Sequence, residues 1–417
     1  MTAPRTAALA RLAAEPVDLL VIGGGITGAG TARDAALRGL SVALVERDDF
    51  AAGTSSRSSR LVHGGVRYLE HGHLGLVFEA SRERRTLLRT APHLVRPLRF
   101  TWPVYRGARV PRWKLVAGLA LYDALALWGN VARHRPLAAA GVLAHEPALA
   151  TEGLVGGATY WDAATDDARL TLATALDAAA AGACVLNHAQ VCAMTLPPAP
   201  GGETRLRVHD RVGGDVVEVR ARAVVNAAGP WGDAVRRLAG GGGADAVLGA
   251  KGVHLAVPAH RVGNRGAVTL LSQVDGRVMF VLPAGAFTII GTTETPAERG
   301  PDEVRATEAD VEYLLRSADA FFPGARLTRD DVVSAWAGIR PLAARHGDGR
   351  GTASASREHA IERDPRGLVS VSGGKLTTYR AMAAQVFDAA APLVRRTVAP
   401  SATAARPLSG TAAPEAL

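Results

Sequence analysis

Val17-Asp18-Leu19-Leu20-Val21-Ile22 runs directly into Gly23-Gly24-Gly25-Ile26-Thr27-Gly28, and this stretch decides the fold. The first six residues are almost all apolar and end at glycine, the pattern of a strand buried on both faces of a parallel sheet. The glycines match G-x-G-x-x-G and open a helical pattern from about Thr27 to Arg38. Gly23 permits the tight turn, Gly25 admits a pyrophosphate to the backbone, and Gly28 lets the helix pack closely on the strand. Phosphates belong at that helix N-terminus, where N–H groups lack intrahelical partners and the dipole favours negative charge. A second strand, Ser41 to Glu46 (SVALVE), ends on Glu46, 18 residues after Gly28. A carboxylate there accepts from ribose hydroxyls and repels a 2′-phosphate. This β-α-β opening predicts a doubly wound α/β sheet holding an adenine dinucleotide, and does not separate FAD from NAD.

Outward from that unit, the 417 residues suit a cofactor domain and a substrate domain better than one simple core. Arg82–Leu88 and Trp113–Trp128 read as helices, while Ala223–Ala227 and Leu368–Ser372 read as short buried strands. Sheet segments so scattered predict a Rossmann-like domain assembled from discontinuous pieces, with an α+β substrate domain inserted. The cofactor domain takes residues 16–90, 151–240 and 336–395. The substrate domain takes a helical part, 91–150, and strands within 241–335. Leu196–Gly202 and Gly240–Gly243 read as turns, and the Ala-, Pro-, Ser- and Thr-rich tail, 396–417, as poorly ordered.

The chain is 48% hydrophobic with a formal charge of +9, and three of its 48 basic residues are lysines, Lys114, Lys251 and Lys375. A positive balance suits a phosphorylated substrate or an anionic membrane face. Nucleic acid is excluded as a partner, because no basic run is interleaved with aromatics. His71 and His73 have H-x-H spacing without a supporting acid or cysteine, so no metal site is expected. The opening residues lack the apolar core of a secretory signal, and no stretch reaches membrane-spanning length. A cytoplasmic protein, or one peripheral on the cytoplasmic face of the inner membrane, is expected. Cys184 and Cys192 read as small buried hydrophobes in a reducing compartment.

Beyond Glu46 comes Gly53-Thr54-Ser55-Ser56-Arg57-Ser58-Ser59-Arg60-Leu61-Val62-His63-Gly64-Gly65-Val66-Arg67-Tyr68-Leu69-Glu70. Hydroxyls and glycines at this density suit the wrapping of a diphosphate, while composition alone favours a serine-rich surface loop. TSSRSSRLVHGGVRYLEHG resembles the signature of the FAD-dependent glycerol-3-phosphate dehydrogenases, within the D-amino-acid-oxidase-like flavoproteins. The resemblance resumes in VVNAAGPW (Val224–Trp231), KGVHLAV (Lys251–Val257), FVLPAGAFTIIGTTE (Phe280–Glu294), WAGIRPL (Trp336–Leu342) and SGGKLTTYR (Ser372–Arg380), in that family's order.

The resemblance implies a Rossmann-like FAD-binding domain, an FAD cofactor, and oxidation of glycerol 3-phosphate to dihydroxyacetone phosphate, with electrons passed to a quinone. Carried over by motif, the cofactor contacts are Gly23, Gly25, Ile26, Thr27, Gly28, Glu46, Arg47, Thr54, Ser55, Ser56, Ser59, His63, Gly64, Gly65, Val191, Ala228, Gly229, Gly374, Lys375, Leu376 and Thr377. A helix N-terminus after Gly373-Gly374-Lys375 would turn its positive end toward the flavin. A phosphate dianion calls for arginine. The implied substrate residues are Arg67, Tyr68, His254, Arg340, Arg357 and Lys375, with His254, Arg340 and Lys375 catalytic and His254 the candidate base.

Arg109–Lys114 followed by Leu115–Trp128 combines basic residues, flanking tryptophans and an apolar body, which suits either the bilayer interface or a buried helix. Family members usually continue into a further helical C-terminal domain, and a homodimer is a possible assembly. Two other readings stay open: a related flavin oxidase or 2-hydroxyacid dehydrogenase acting on a carboxylate, which arginines also bind, and a non-catalytic FAD-binding protein.

Overall fold

The computed structural model describes residues 3–241, 246–297, 300–343 and 358–410. After helix α1 (Ala3–Ala14) come β1 (Val17–Ile22), α2 (Ile26–Leu37), β2 (Val42–Val45) and β3 (Leu61–Val62). Next are α3 (Leu74–Thr90), β4 (Val95–Tyr105), α4 (Arg112–Leu125), β5 (Arg135–Leu137), α5 (Ala139–His145) and β6 (Leu154–Thr165). α6 (Asp167–Ala180) leads to β7 (Cys184–Leu186), β8 (Ala189–Thr195), β9 (Thr204–Asp210), β10 (Val216–Asn226) and α7 (Gly232–Leu238). Then follow β11 (Val247–Pro258), α8 (Ala259–Val262), β12 (Ala267–Leu271), β13 (Val278–Ala284), β14 (Phe287–Gly291) and β15 (Thr295–Pro296). The last elements are α9 (Glu308–Asp319), β16 (Ser334–Ala343), β17 (Ala360–Asp364), β18 (Leu368–Ser372) and α10 (Tyr379–Val394).

Two sheets result. The first runs β17-β18-β10-β1-β2-β7, with β1 parallel to both β2 and β10. Every residue of β1 is buried, as a two-faced parallel strand requires. One face packs on α2, α6 and α10 through Leu19, Val21, Ala29, Ala178 and Phe387. The other carries Leu20 and Ile22 against Leu9 and Leu12 of α1. The second sheet runs β15-β11-β14-β13-β12-β4-β6-β3, with β16 on β11 and β5 on β6. Its long antiparallel pair β11–β16 sets His254 opposite Trp336 and Ala250 opposite Arg340.

The α/β fold class stands, whereas several drawn boundaries differ from the path of the chain. Residues 91–150 were expected helical, yet β4 opens them. β6 and β16 belong to the second sheet although they fall in segments assigned to the cofactor domain. The cofactor motifs lie where the two sheets meet, so motif blocks do not sort strands between sheets. The tail also departs from expectation as far as residue 410. Arg33, ion-paired with Asp177, donates to the carbonyls of Arg406 and Pro407 at 3.0 and 3.2 Å. Leu408 is 3% exposed, packs with Ile26, Leu87 and Tyr379, and donates its N–H to Thr90 O at 2.8 Å. One buried leucine, a buried Thr403 and hydrogen bonds from Arg33, Arg380 and Ser401 suffice to anchor a segment whose composition alone reads as disordered. Cys184 is buried as expected, but Cys192 is exposed, because alternation along β8 buries Ala189 and Val191 and leaves Cys192 on the opposite face.

The packed tail makes a measurable difference. Leu408→Ala is expected to lower unfolding stability by about 2 kcal/mol in urea titration, whereas a disordered tail would leave the midpoint where it was.

Candidate active site

Backbone geometry builds the first part of the site. Gly23 has φ +110°, and a Cβ there would lie 2.6 Å from Ala227 O on the neighbouring strand's turn; one on Gly28 would overlap Gly23 O. Both positions therefore exclude side chains, and α2 starts hard against the end of β1. Glu46 braces the same turn. Its Oε2 accepts from Gly24 N at 2.6 Å and its Oε1 from Asp48 N at 2.8 Å, leaving each oxygen a further lone pair for a ribose hydroxyl. Ser55 Oγ accepts from Ile26 N, the first residue of α2, at 2.9 Å.

These groups face a cleft of about 570 Å³ between the two sheets, within the range of cofactor sites. Gly23, Gly25, Ile26, Thr27, Glu46, Arg47, Thr54, Ser55, Ser59, His63, Tyr68, Val191, Ala228, Gly229, His254, Arg340, Gly374, Lys375, Leu376 and Thr377 all line it. The predicted residues Gly28, Ser56 and Gly64 do not. Gly28 acts through close packing, Ser56 turns its hydroxyl to Gly53 O at 3.4 Å, and Gly64 is held by Asp162. Gly65 and Arg67 line a smaller chamber of about 100 Å³ instead, with Phe100, Tyr160, Phe280 and Thr292. Ser59, Leu61, His63, Tyr68 and Arg340 border both spaces. Arg357 lies outside the described residues. Among the described residues no His, Cys, Asp and Glu cluster suits a metal ion.

The loop Ser58–Gly64 is irregular, so its amides need partners from elsewhere. Buried Asp167 takes Ser58 N at 3.0 Å and Ser58 Oγ at 2.7 Å. Buried Asp162 takes Gly64 N at 3.0 Å and Tyr122 OH at 2.7 Å, and pairs with buried Arg84. Burial pushes both carboxyls upward, opposed by Arg84 at Asp162 and by the Ser58 bonds at Asp167. Between them, Thr377 Oγ1 accepts from His63 N at 3.0 Å, tying the loop to the segment that precedes α10. Sequence reading missed Asp162, Asp167, Arg84 and Tyr122; the available signal was an acid inside the otherwise apolar run ATYWDAA.

Cations gather where cleft and chamber meet. Lys375 Nζ lies 3.8 Å from the centroid of the Tyr68 ring, and the Arg67 guanidinium lies 5.4 Å from it. Arg340 donates to Thr292 Oγ1 at 3.1 Å, in space kept open by Gly252, where a Cβ would come within 2.6 Å of the guanidinium. His254 is 2% exposed and stacked on Trp336 at 5.5 Å, with Nε2 2.8 Å from Ser59 Oγ. Burial, then Arg340 and Arg60, hold its pKa down to about 3.

With that geometry in place, the relationships are clear. The FAD dependent oxidoreductase family matches residues 18–386. A glycerol-3-phosphate dehydrogenase 2 from Mycobacterium tuberculosis is 43% identical over 408 residues, covering 96% of this chain and 67% of the relative. The chain belongs to the FAD-dependent glycerol-3-phosphate dehydrogenase family. A second member, from Synechocystis, is 39% identical over 94% of this chain and 73% of its own length. The structure of the Bacillus halodurans member, complexed with FAD, matches with a TM-score of 0.80 at 37% identity, over 98% of this chain and 71% of that one. Glycine oxidase from Geobacillus kaustophilus, at 22% identity and TM-score 0.66, shares the fold. FAD is the cofactor of this family member, and the residues fit it. The side-chain-free approach at Gly23, the carboxylate of Glu46 and the mouth of α2 suit an adenine dinucleotide diphosphate, and Lys375 and Thr377 border the same cleft.

The pKa of His254 has a sign that can be checked. Its folded value, about 3, lies below the ordinary 6.5, so between those values the unfolded chain binds the proton more readily and stability falls with falling pH. Relative to His254→Gln, the wild type is expected to lose about 2 kcal/mol between about pH 7 and about pH 5, with no divergence above that range. Urea midpoints across that range measure it.

Proposed function

We propose that this protein oxidises sn-glycerol 3-phosphate to dihydroxyacetone phosphate and passes the electrons to a quinone. One observation carries the reading: Arg67, Arg340 and Lys375 converge with a neutral imidazole, His254, at the junction of a dinucleotide-sized cleft and a small chamber. That set suits a small ligand with one end doubly negative and the other a hydroxyl to be deprotonated. The names of the relatives, glycerol-3-phosphate dehydrogenases at 39–43% identity, agree with it.

In this mechanism Arg340, Arg67 and Lys375 hold the phosphate and fix the polyol's direction. Thr292 and Tyr68 orient those cations, the first through its hydrogen bond to Arg340 and the second through its ring. The aromatic wall of Phe100, Tyr160 and Phe280 excludes water from the chamber and limits the length of the polyol. His254, uncharged, takes the C2 hydroxyl proton at Nε2. Bound in the cleft, FAD would supply the two-electron acceptor, its N5 taking the hydride from C2. The rest of catalysis is positioning and charge complementarity.

The route of electrons to a quinone is supported by one surface. The outer face of α4 and the turn after it expose Trp113, Leu121, Leu127 and Trp128 beside Arg112, Lys114 and Arg133, while Leu115, Leu119 and Tyr122 face the core. Among the described residues no helix is long and apolar enough to cross a membrane. An apolar strip with basic neighbours on a half-buried helix suits the interface of an anionic bilayer.

Two measurements test these readings. Anaerobic glycerol 3-phosphate is expected to bleach the oxidised flavin absorption of the holoenzyme, and Arg340→Ala to lower kcat/KM about 100-fold, the worth of one charge-assisted contact of ~3 kcal/mol. An unbleached, fully loaded protein rules the activity out. In flotation, the protein is expected to rise with anionic vesicles, and the Trp113→Ala, Trp128→Ala double variant to remain at the bottom; equal flotation of both removes this face from the interface.

A further inference from the structure

His254 is enclosed. Trp336 covers one ring face, a Cβ on Gly291 would overlap its Cδ2, and Nδ1 has no hydrogen-bond partner among the described residues. An imidazole in this setting exchanges protons through the group that holds its other nitrogen. That group is Ser59, whose Oγ lies 2.8 Å from Nε2 and whose residue borders both cleft and chamber. Ser59 is also held from both sides. Ser58 before it is bonded twice to Asp167, and Arg60 O after it accepts from Thr165 N at 2.9 Å.

We propose that Ser59 is a further catalytic residue, whose hydroxyl relays the proton of the substrate's secondary alcohol to Nε2 of His254. The proposal rests on the polyol-phosphate reading above. As the substrate O–H breaks, its proton bonds to Ser59 Oγ, and the proton already on Oγ bonds to Nε2, so Ser59 ends unchanged. The electron pair of the substrate C–H bond leaves with its hydrogen to the FAD that this family carries, and the carbonyl forms. His254 then holds one extra proton, which returns to solvent after the product leaves. Burial, then Arg340 and Arg60, disfavours that charge in the free protein, and the arginines oppose it less once a phosphate lies against Arg340. The relay requires the Nδ1–H tautomer, with Nε2 bare toward Ser59.

Two experiments on the FAD-loaded protein decide this. The first needs no turnover: in the nitrogen NMR spectrum of histidine-labelled holoenzyme, with His254→Gln for assignment, Nε2 of His254 is expected to be unprotonated and to shift in Ser59→Ala. A proton resident on Nε2 overturns the relay. The second follows flavin bleaching after anaerobic mixing with glycerol 3-phosphate. Ser59→Ala is expected to slow bleaching at saturation about 100-fold or more, with flavin content and substrate affinity retained, while Ser59→Thr, which keeps a hydroxyl, recovers most of the rate. Wild-type bleaching at an unchanged rate in Ser59→Ala overturns the relay alone. A wild-type holoenzyme that glycerol 3-phosphate does not bleach overturns the substrate reading and the relay with it.

Discussion

Two carboxylates carried into the interior by one strand and the helix after it, Asp162 of β6 and Asp167 of α6, fix the loop on which the site depends. A charge without partners would be expelled from such surroundings. Here each carboxylate is matched by backbone or hydroxyl donors of the loop, and Asp162 also by Arg84. Removing either would leave amides of an irregular segment unsatisfied in a buried place. With the loop fixed at both ends, Ser59 from the N-terminal part of the chain reaches His254 on a strand almost two hundred residues away. The seam between the sheets is thus held by ionic and hydrogen-bonded groups as much as by apolar packing.

The same economy governs the positive charge. Several arginines pair with carboxylates at the surface, as Arg366 does with Asp364 and Arg329 with Glu308, where such pairs contribute little. Those of the site differ in being directed by rings and small residues. Tyr68 gathers Lys375 and Arg67 on its ring, and Gly252 clears space for Arg340. Burial, and after it the neighbouring cations, keeps His254 neutral in this field. The cations that complement an anion therefore add to what burial already does to the imidazole.

What was legible in the sequence was local. The run from Val17 to Glu46 encodes strand, turn, helix and strand within thirty residues, each by period and glycine placement, and the structure follows it within a residue or two. Most residues named for the cofactor do border the cleft, though Val191, Ala228 and Arg47 were legible only through resemblance to a family. Pairing partners were not legible. Nothing in Val224–Ala227 says that its strand lies beside Val17–Ile22, because sheet order is set by contacts distant in sequence. The roles of Asp162 and Asp167 were hidden for the same reason, since an acid in an apolar strand declares itself only once its donors arrive. Arg67 was named for the substrate by motif alone, and its position on the chamber depends on Phe100, Tyr160 and Phe280 from β4, β6 and β13.

The separation of β1 from β10 also matters during synthesis. At ~5–20 residues per second, a ribosome needs about 10–40 s to produce the partner strand after Ile22 has emerged. Throughout that interval a ribbon of six almost wholly apolar residues has one parallel neighbour, β2, and an open edge of the kind that recruits other chains. Its faces need not stay bare. Leu9 and Leu12 of α1 cover one, and Ala29 and Ala32 of α2 cover the other. The short helix ahead of the dinucleotide motif is thus made early enough to cover one face of β1 before the rest of the sheet exists.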